Sequence, residues 1–182
     1  MIEINRITRI ISGGIELSIG YQDGKIIISQ SENVFKAWID PDFKKLGLDI
    51  PSQPTKKINA VVRELTGKGT LLQIFKDIDP DLDSSVLTMS QIIEFCGKNK
   101  VWVGEEGFVA FFLTKRRNNF LLRFWYQIMK LVSKDEFIGK YYVVRVFVCT
   151  NEDGLGVNYS SLKDGFCWRT ENHHRVVSPQ LA

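Results

Sequence analysis

Two apolar runs constrain this chain more than any other feature: Phe108-Val-Ala-Phe-Phe-Leu113 and Tyr141-Tyr-Val-Val-Arg-Val-Phe-Val148. Aromatic and β-branched residues at this density predict buried strands. Neither run nor the stretch between them offers the ~20 uninterrupted apolar residues of a membrane span, because Arg145 breaks one and Arg123 and Lys130 break the other. The runs must therefore lie in a folded core. A chain of 182 residues can bury most of its apolar surface in one domain, or in two small halves sharing a core. With 44% apolar and 25% charged residues it has ordinary globular composition.

The first thirty residues read as strands. Ile4 to Ile11 predicts one, and Ile15, Leu17 and Ile19 alternate with polar residues in a second. Asp23-Gly24 supplies the turn of a tight hairpin, with Ile26-Ile27-Ile28 as the returning arm. Ser31 is placed to cap a short helix through Trp38, and Asp40-Pro41 to open another that ends at Gly47. Ile58, Val61, Val62 and Leu65 fall at i, i+3, i+4 and i+7, predicting a helix from Thr55 that Gly67 closes. Leu71, Leu72, Phe75 and Ile78 repeat that pattern.

The acidic stretch from Asp77 to Ser85, containing Pro80, is the best candidate joint. It divides the chain into residues 1–79, a β-hairpin with helices, and residues 84–182, an α+β meander, with one shared core as the alternative. Thr88 and Gln91 form a capping-box pair that opens a helix closed by Gly97. Strands are expected at Phe108–Leu113, Tyr141–Thr150, Leu155–Ser161 and Phe166–Thr170, with a last one near Arg175–Ser178. The expected fold class is α+β: antiparallel sheets covered by helices, ending in a C-terminal β-meander with an inserted amphipathic helix.

Residues 90–182 carry the capped helix, the two apolar runs and the ending Arg175-Val-Val-Ser-Pro-Gln-Leu181. This half of the chain resembles small uncharacterised proteins of candidate-phylum bacteria. The likeness lies in strand texture and not in a catalytic motif. It implies a bacterial, cytoplasmic origin and no known activity. The stretch between the long strands is where the chain departs from the simpler hairpin of those proteins.

That stretch also holds the charge asymmetry. Residues 1–114 carry 13 basic and 15 acidic side chains, residues 115–145 carry 8 and 2, and residues 146–182 carry 3 and 4. Screening over ~10 Å makes such a local excess the relevant charge for a partner. On a helical wheel, Asn118–Lys134 separates into an apolar arc of roughly 200°, wider than one packing contact needs. The arc holds Phe120, Leu121, Leu122, Phe124, Trp125, Ile128, Met129, Leu131 and Val132, and Arg123, Gln127, Lys130 and Lys134 form a basic stripe.

Three readings follow. In the first, the helix is ordinary core with a solvated stripe. Alternatively, Phe124, Trp125, Ile128 and Met129 contact a protein partner, a second copy of the chain or, less favoured, a membrane surface. In the third, Lys115, Arg116, Arg117, Arg123, Lys130 and Lys134 contact the phosphates of a nucleic acid, with Trp125 or Tyr126 stacking on a base.

Other constellations are weak. Asp77, Asp79, Asp81 and Asp83 alternate like calcium-loop oxygens, but Leu82 and Thr88 stand where glycine and glutamate are needed. His173 and His174 are adjacent and point to opposite sides of an extended segment, so they do not share one metal. Cys149 or Cys167 with a histidine could form a zinc set or a nucleophile pair, although buried structural thiols are the favoured reading. Gly67-Lys68-Gly69-Thr70 lacks the earlier glycine of a phosphate loop and reads as an interhelical turn. Glu105-Glu106, flanked by glycines, reads as an exposed turn, and Trp168-Arg169 as sheet packing.

No catalytic residue, metal or cofactor is assigned. Three scattered cysteines without a C-x-x-C pair fit a reducing compartment. An amino terminus without signal-peptide features places the chain in the cytoplasm. The reading is a non-catalytic interaction module whose contact element is the basic helix 118–134. Nucleic-acid binding is the alternative, and a Cys/His enzyme site the third possibility.

Overall fold

A computed structural model describes residues 6–104, 108–116, 140–152 and 154–181. The strands are β1 (Thr8–Ile10), β2 (Leu17–Ile19), β3 (Trp38–Ile39), β4 (Ile58–Leu65), β5 (Val109–Lys115), β6 (Tyr141–Cys149), β7 (Gly154–Ser161) and β8 (Arg175–Pro179). The helices are α1 (Asp42–Lys45), α2 (Leu71–Ile78) and α3 (Met89–Lys98). All eight strands join one mixed, mostly antiparallel sheet in the order β1-β4-β8-β5-β6-β7-β3, with β2 also paired to β4. The chain is α+β.

Both faces of this sheet are covered, which is why its central strands are apolar at nearly every position. Ala110 and Phe112 of β5 point with Tyr142, Val144 and Val177 into a core closed by Ile92 and Phe95 of α3 and by Leu17, Ile28 and Phe43. Phe111 and Leu113 point the other way, with Val143 and Val176, onto Leu71, Ile74 and Phe75 of α2. Both α2 and α3 begin with a capping box, Thr70 with Gln73 in α2 and Thr88 with Gln91 in α3. Asn99, not Gly97, ends α3.

The helix expected from Thr55 to Gly67 is instead β4. Ala60 and Val62 face the α3 core and Leu65 faces the α2 core. A strand buried on both faces places apolar residues at odd and even positions, and that mixture imitates a helical spacing. The strand is fixed by partners on either side: Thr8↔Leu65 to Ile10↔Arg63 with β1, Leu17↔Ala60 to Ile19↔Ile58 with β2, and Ala60↔Pro179 to Glu64↔Arg175 with β8. The sheet thus runs without interruption from strands of the first half of the chain into those of the second.

Three further expectations are corrected. Asp23-Gly24 is a turn, but no hairpin follows: β2 pairs with β4, and Ile28–Gln30 is a 3-10 turn. Residues 31–38 form no helix, and Trp38–Ile39 instead lies parallel to Gly156–Val157 at the edge of the sheet. The meander holds for β5, β6 and β7 only. Trp168 makes a single bridge to Gly69, a 3-10 turn follows at Thr170–Asn172, and β8 lies on the far side of β5, parallel to it. The crossing segment lies over the α2 face, where Trp168 packs on Phe111 with ring centroids 4.7 Å apart.

β5 and β6 are paired from Val109↔Phe147 to Lys115↔Tyr141, and the Arg116 N–H donates to the Lys140 carbonyl at 3.0 Å. The inserted helix expected at 118–134 lies outside the described residues. Among the described residues no helix is long and apolar enough to cross a membrane.

Candidate functional site at the root of the hairpin

The parallel pairing of β5 with β8 stops at Phe112↔Val177, leaving the last residues of β5 with one side open. Leu87 meets that side, its N–H donating to the Leu113 carbonyl at 2.8 Å, and α3 begins directly afterwards. The loop after α1 comes in opposite. It turns at Gly47, whose φ is +67°, and buries Leu48 in the core. These three segments enclose a cleft of about 400 Å³. Its apolar wall is Leu48, Ile50, Val86, Leu87 and Met89, and Lys115 and Arg116 stand on it where β5 ends. A volume above ~300 Å³ with mostly apolar walls and few polar groups has the character of a binding site.

The electrostatics of this end of the sheet centre on Asp83, in the 3-10 turn Leu82–Ser85. Its carboxylate accepts from the Tyr141 hydroxyl at 2.8 Å, from Lys115 Nζ at 3.0 Å and from Lys140 Nζ at 3.4 Å. The Tyr141 hydrogen bond and then Lys115 hold the Asp83 carboxyl below its ordinary pKa. The Lys140 ammonium also sits 4.7 Å from the centre of the Tyr141 ring. Arg116 is half-buried and has no ion-pair partner among the described residues. Lys115 and Lys140 share Asp83, so among the described residues Arg116 is the hairpin-root cation without an ion pair.

The other acidic residues of this stretch bond to backbone. Asp77 accepts from the Thr8 N–H and hydroxyl, Asp79 from the Asp81 N–H, and Asp81 from the Asp83 N–H. Asp79 and Asp81 thus make local turns and Asp77 reaches across to β1, so the carboxylates do not converge as an oxygen shell. No cluster suited to a metal ion occurs among the described residues.

The thiols and imidazoles are not brought together. Cys149 is half-buried beside Gly156, and its thiol is pushed up by desolvation and by Glu152, the reverse of an activated nucleophile. Cys167 is exposed, so the expectation that both were buried structural thiols fails; Cys96 in α3 is the buried one. His173 has a left-handed backbone with φ 48° and turns outward to Glu64, with Nδ1 2.9 Å from Oε1. His174 turns inward, where Nδ1 accepts the Val109 N–H at 3.0 Å and the ring stands edge-on to Trp168 at 5.0 Å. Burial lowers its pKa.

Of the residues proposed from sequence for partner or phosphate contact, Lys115 and Arg116 are described and lie on the cleft. Phe124, Trp125, Ile128, Met129, Arg117, Arg123, Lys130 and Lys134 lie outside the described residues, as does Glu105-Glu106. The apolar wall of the cleft escaped sequence reasoning because two segments distant in the chain supply it. The one local signal was Thr88, whose capping box marks where α3 starts. Compared with protein-family models, with curated proteins and with solved structures, the chain matches none.

Proposed function

We propose that the chain is a non-catalytic protein-interaction module of the cytoplasm whose contact surface is built at the root of the β5–β6 hairpin. The observation that carries this reading is the cleft itself: an apolar wall from two segments, beside the cations Lys115 and Arg116 of a third. Residues 118–134, with Phe124, Trp125, Ile128 and Met129, begin just beyond Arg116 and supply the rest of the surface in this reading. The bacterial setting implied by the likeness of residues 90–182 belongs to the same proposal.

Selection of random displayed peptides on the full chain, in parallel with Val86→Trp, tests it. Val86 is half-buried on the cleft wall at the margin of the α2 core, so an indole there fills the cleft, and the melting temperature of the variant reports whether the fold is kept. The expected result is a set of sequences enriched on the wild type and absent from the variant, with the two proteins melting alike. Trp125→Ala should weaken the same sequences without unfolding the chain. Identical enrichment on wild type and Val86→Trp would remove the cleft from the function.

A further inference from the structure

We infer that the segment received by this cleft is acidic: a stretch of a partner protein that seats an apolar side chain against Ile50 and Val86 and sets a carboxylate on the Arg116 guanidinium. The inference rests on the cleft being a protein-binding site and adds the chemistry of what it binds.

Three observations point the same way. Arg116 lines the cleft and has no anionic partner among the described residues, and a half-buried guanidinium gains most from a planar carboxylate that accepts two parallel N–H bonds. Beside it, the hairpin root already holds a carboxylate with this chemistry, because Asp83 is gripped by Lys115, Lys140 and the Tyr141 hydroxyl. Among the described residues, the chain's own acid thus occupies the two lysines and no carboxylate is set on the arginine. Finally, α3 starts at the cleft, with Thr88 and Met89 on its wall, so the positive end of a ten-residue helix lies on the same side as the cations. A basic or neutral segment would leave Arg116 uncompensated as the apolar wall was covered, and that loss of hydration favours an acidic one.

The test uses the peptides enriched on the full chain in a manner that Val86→Trp abolishes. Their expected signature is Asp or Glu flanking an apolar residue. Changing that acid to its amide should weaken binding by about tenfold, the loss of one charge-assisted hydrogen-bonded pair. On Arg116→Glu, a variant at a half-buried surface position whose melting should match the wild type, the acidic peptides should disappear and Lys- or Arg-bearing ones replace them. Cleft-dependent peptides without acidic bias, binding Arg116→Glu as well as wild type, would overturn this inference and leave the protein-binding reading standing. Finding no cleft-dependent peptide would overturn both. Displacement of the acidic peptides by a short single-stranded oligonucleotide, steeply dependent on salt, would show that the anion recognised is phosphate and overturn the commitment to a protein partner.

Discussion

His174 accepts the backbone N–H of Val109 through Nδ1 at 3.0 Å, tying the residue before β8 to the first residue of β5. The imidazole is therefore neutral with its proton on Nε2, and burial keeps its pKa below the ordinary 6.5. Protonation would turn an acceptor toward a donor. Above the unfolded pKa both states are neutral and the contact contributes in full. As pH falls through about 6.5, the unfolded chain takes up the proton first, so stability declines until the folded pKa is passed. Chemical denaturation between neutral pH and pH 5 should show this slope in the wild type and a flatter one in His174→Phe. The variant should also be destabilised at neutral pH by ~1–3 kcal/mol, because it leaves the Val109 N–H without its acceptor. Equal slopes would show that His174 does not titrate with folding.

Asp83 joins the acidic stretch to the hairpin root, but its side chain and that of Lys115 are 46% and 37% exposed, so solvent screens the pairing. Asp83→Asn should cost at most about 1 kcal/mol. Because the Tyr141 hydroxyl and Lys115 hold the Asp83 pKa down, the contribution is present above the unfolded carboxyl pKa and lost as pH falls through the folded one. The wild type should lose the difference in high salt, whereas the variant should be nearly indifferent. A large, salt-independent loss would mean that the contact organises the fold and not the surface.

The parts of this fold legible in sequence were those determined locally. The capping boxes at Thr70 and Thr88, the apolar runs of β5 and β6, and the start of α1 after Asp40 all depend on residues within a turn or a strand of one another. What misled was long-range pairing. Ile58, Val61, Val62 and Leu65 spell a helix until β1, β2 and β8 are placed beside them, after which Ile58 and Val62 serve one core and Leu65 the other. Arg116 stood out by charge alone. The apolar wall that gives it a context comes from residues 47–53 and 86–89, which carry no shared pattern. Likewise, nothing near His174 in the sequence announces that its partner is Val109.

Gly24 tests the correction at Asp23-Gly24. Its φ is +78°, and a Cβ there would lie 2.3 Å from the Ser52 carbonyl oxygen, a backbone atom of the loop that continues to the cleft. The Ser52 N–H also donates to the Gly24 carbonyl at 2.8 Å. Gly24→Ala should therefore combine the left-handed penalty of ~1–2 kcal/mol with a clash that only backbone movement relieves. Gly13→Ala, with nothing within 4 Å of the added carbon, is the control and should be nearly neutral. Thermal unfolding of the two variants should separate them clearly. If Gly24→Ala melts with the wild type, the close approach of the two loops is absent in solution.

Salt-dependent retention on a polyanion column separates the protein-partner reading from nucleic-acid binding. If Arg116, Arg117, Arg123, Lys130 and Lys134 hold phosphates, each contact contributes close to one unit to the slope of log affinity against log salt, and each charge-removing substitution takes about that much away. The protein reading predicts a shallow dependence and early elution, since Lys115 and Lys140 already share Asp83. Arg116→Gln should then change the elution point little. Asp83→Asn should delay elution, because it releases two ammonium groups on the same side of the hairpin. A steep slope in the wild type that flattens stepwise with Arg116→Gln and Lys130→Gln would mean that phosphates are the partner, and the apolar wall of the cleft would then need another explanation.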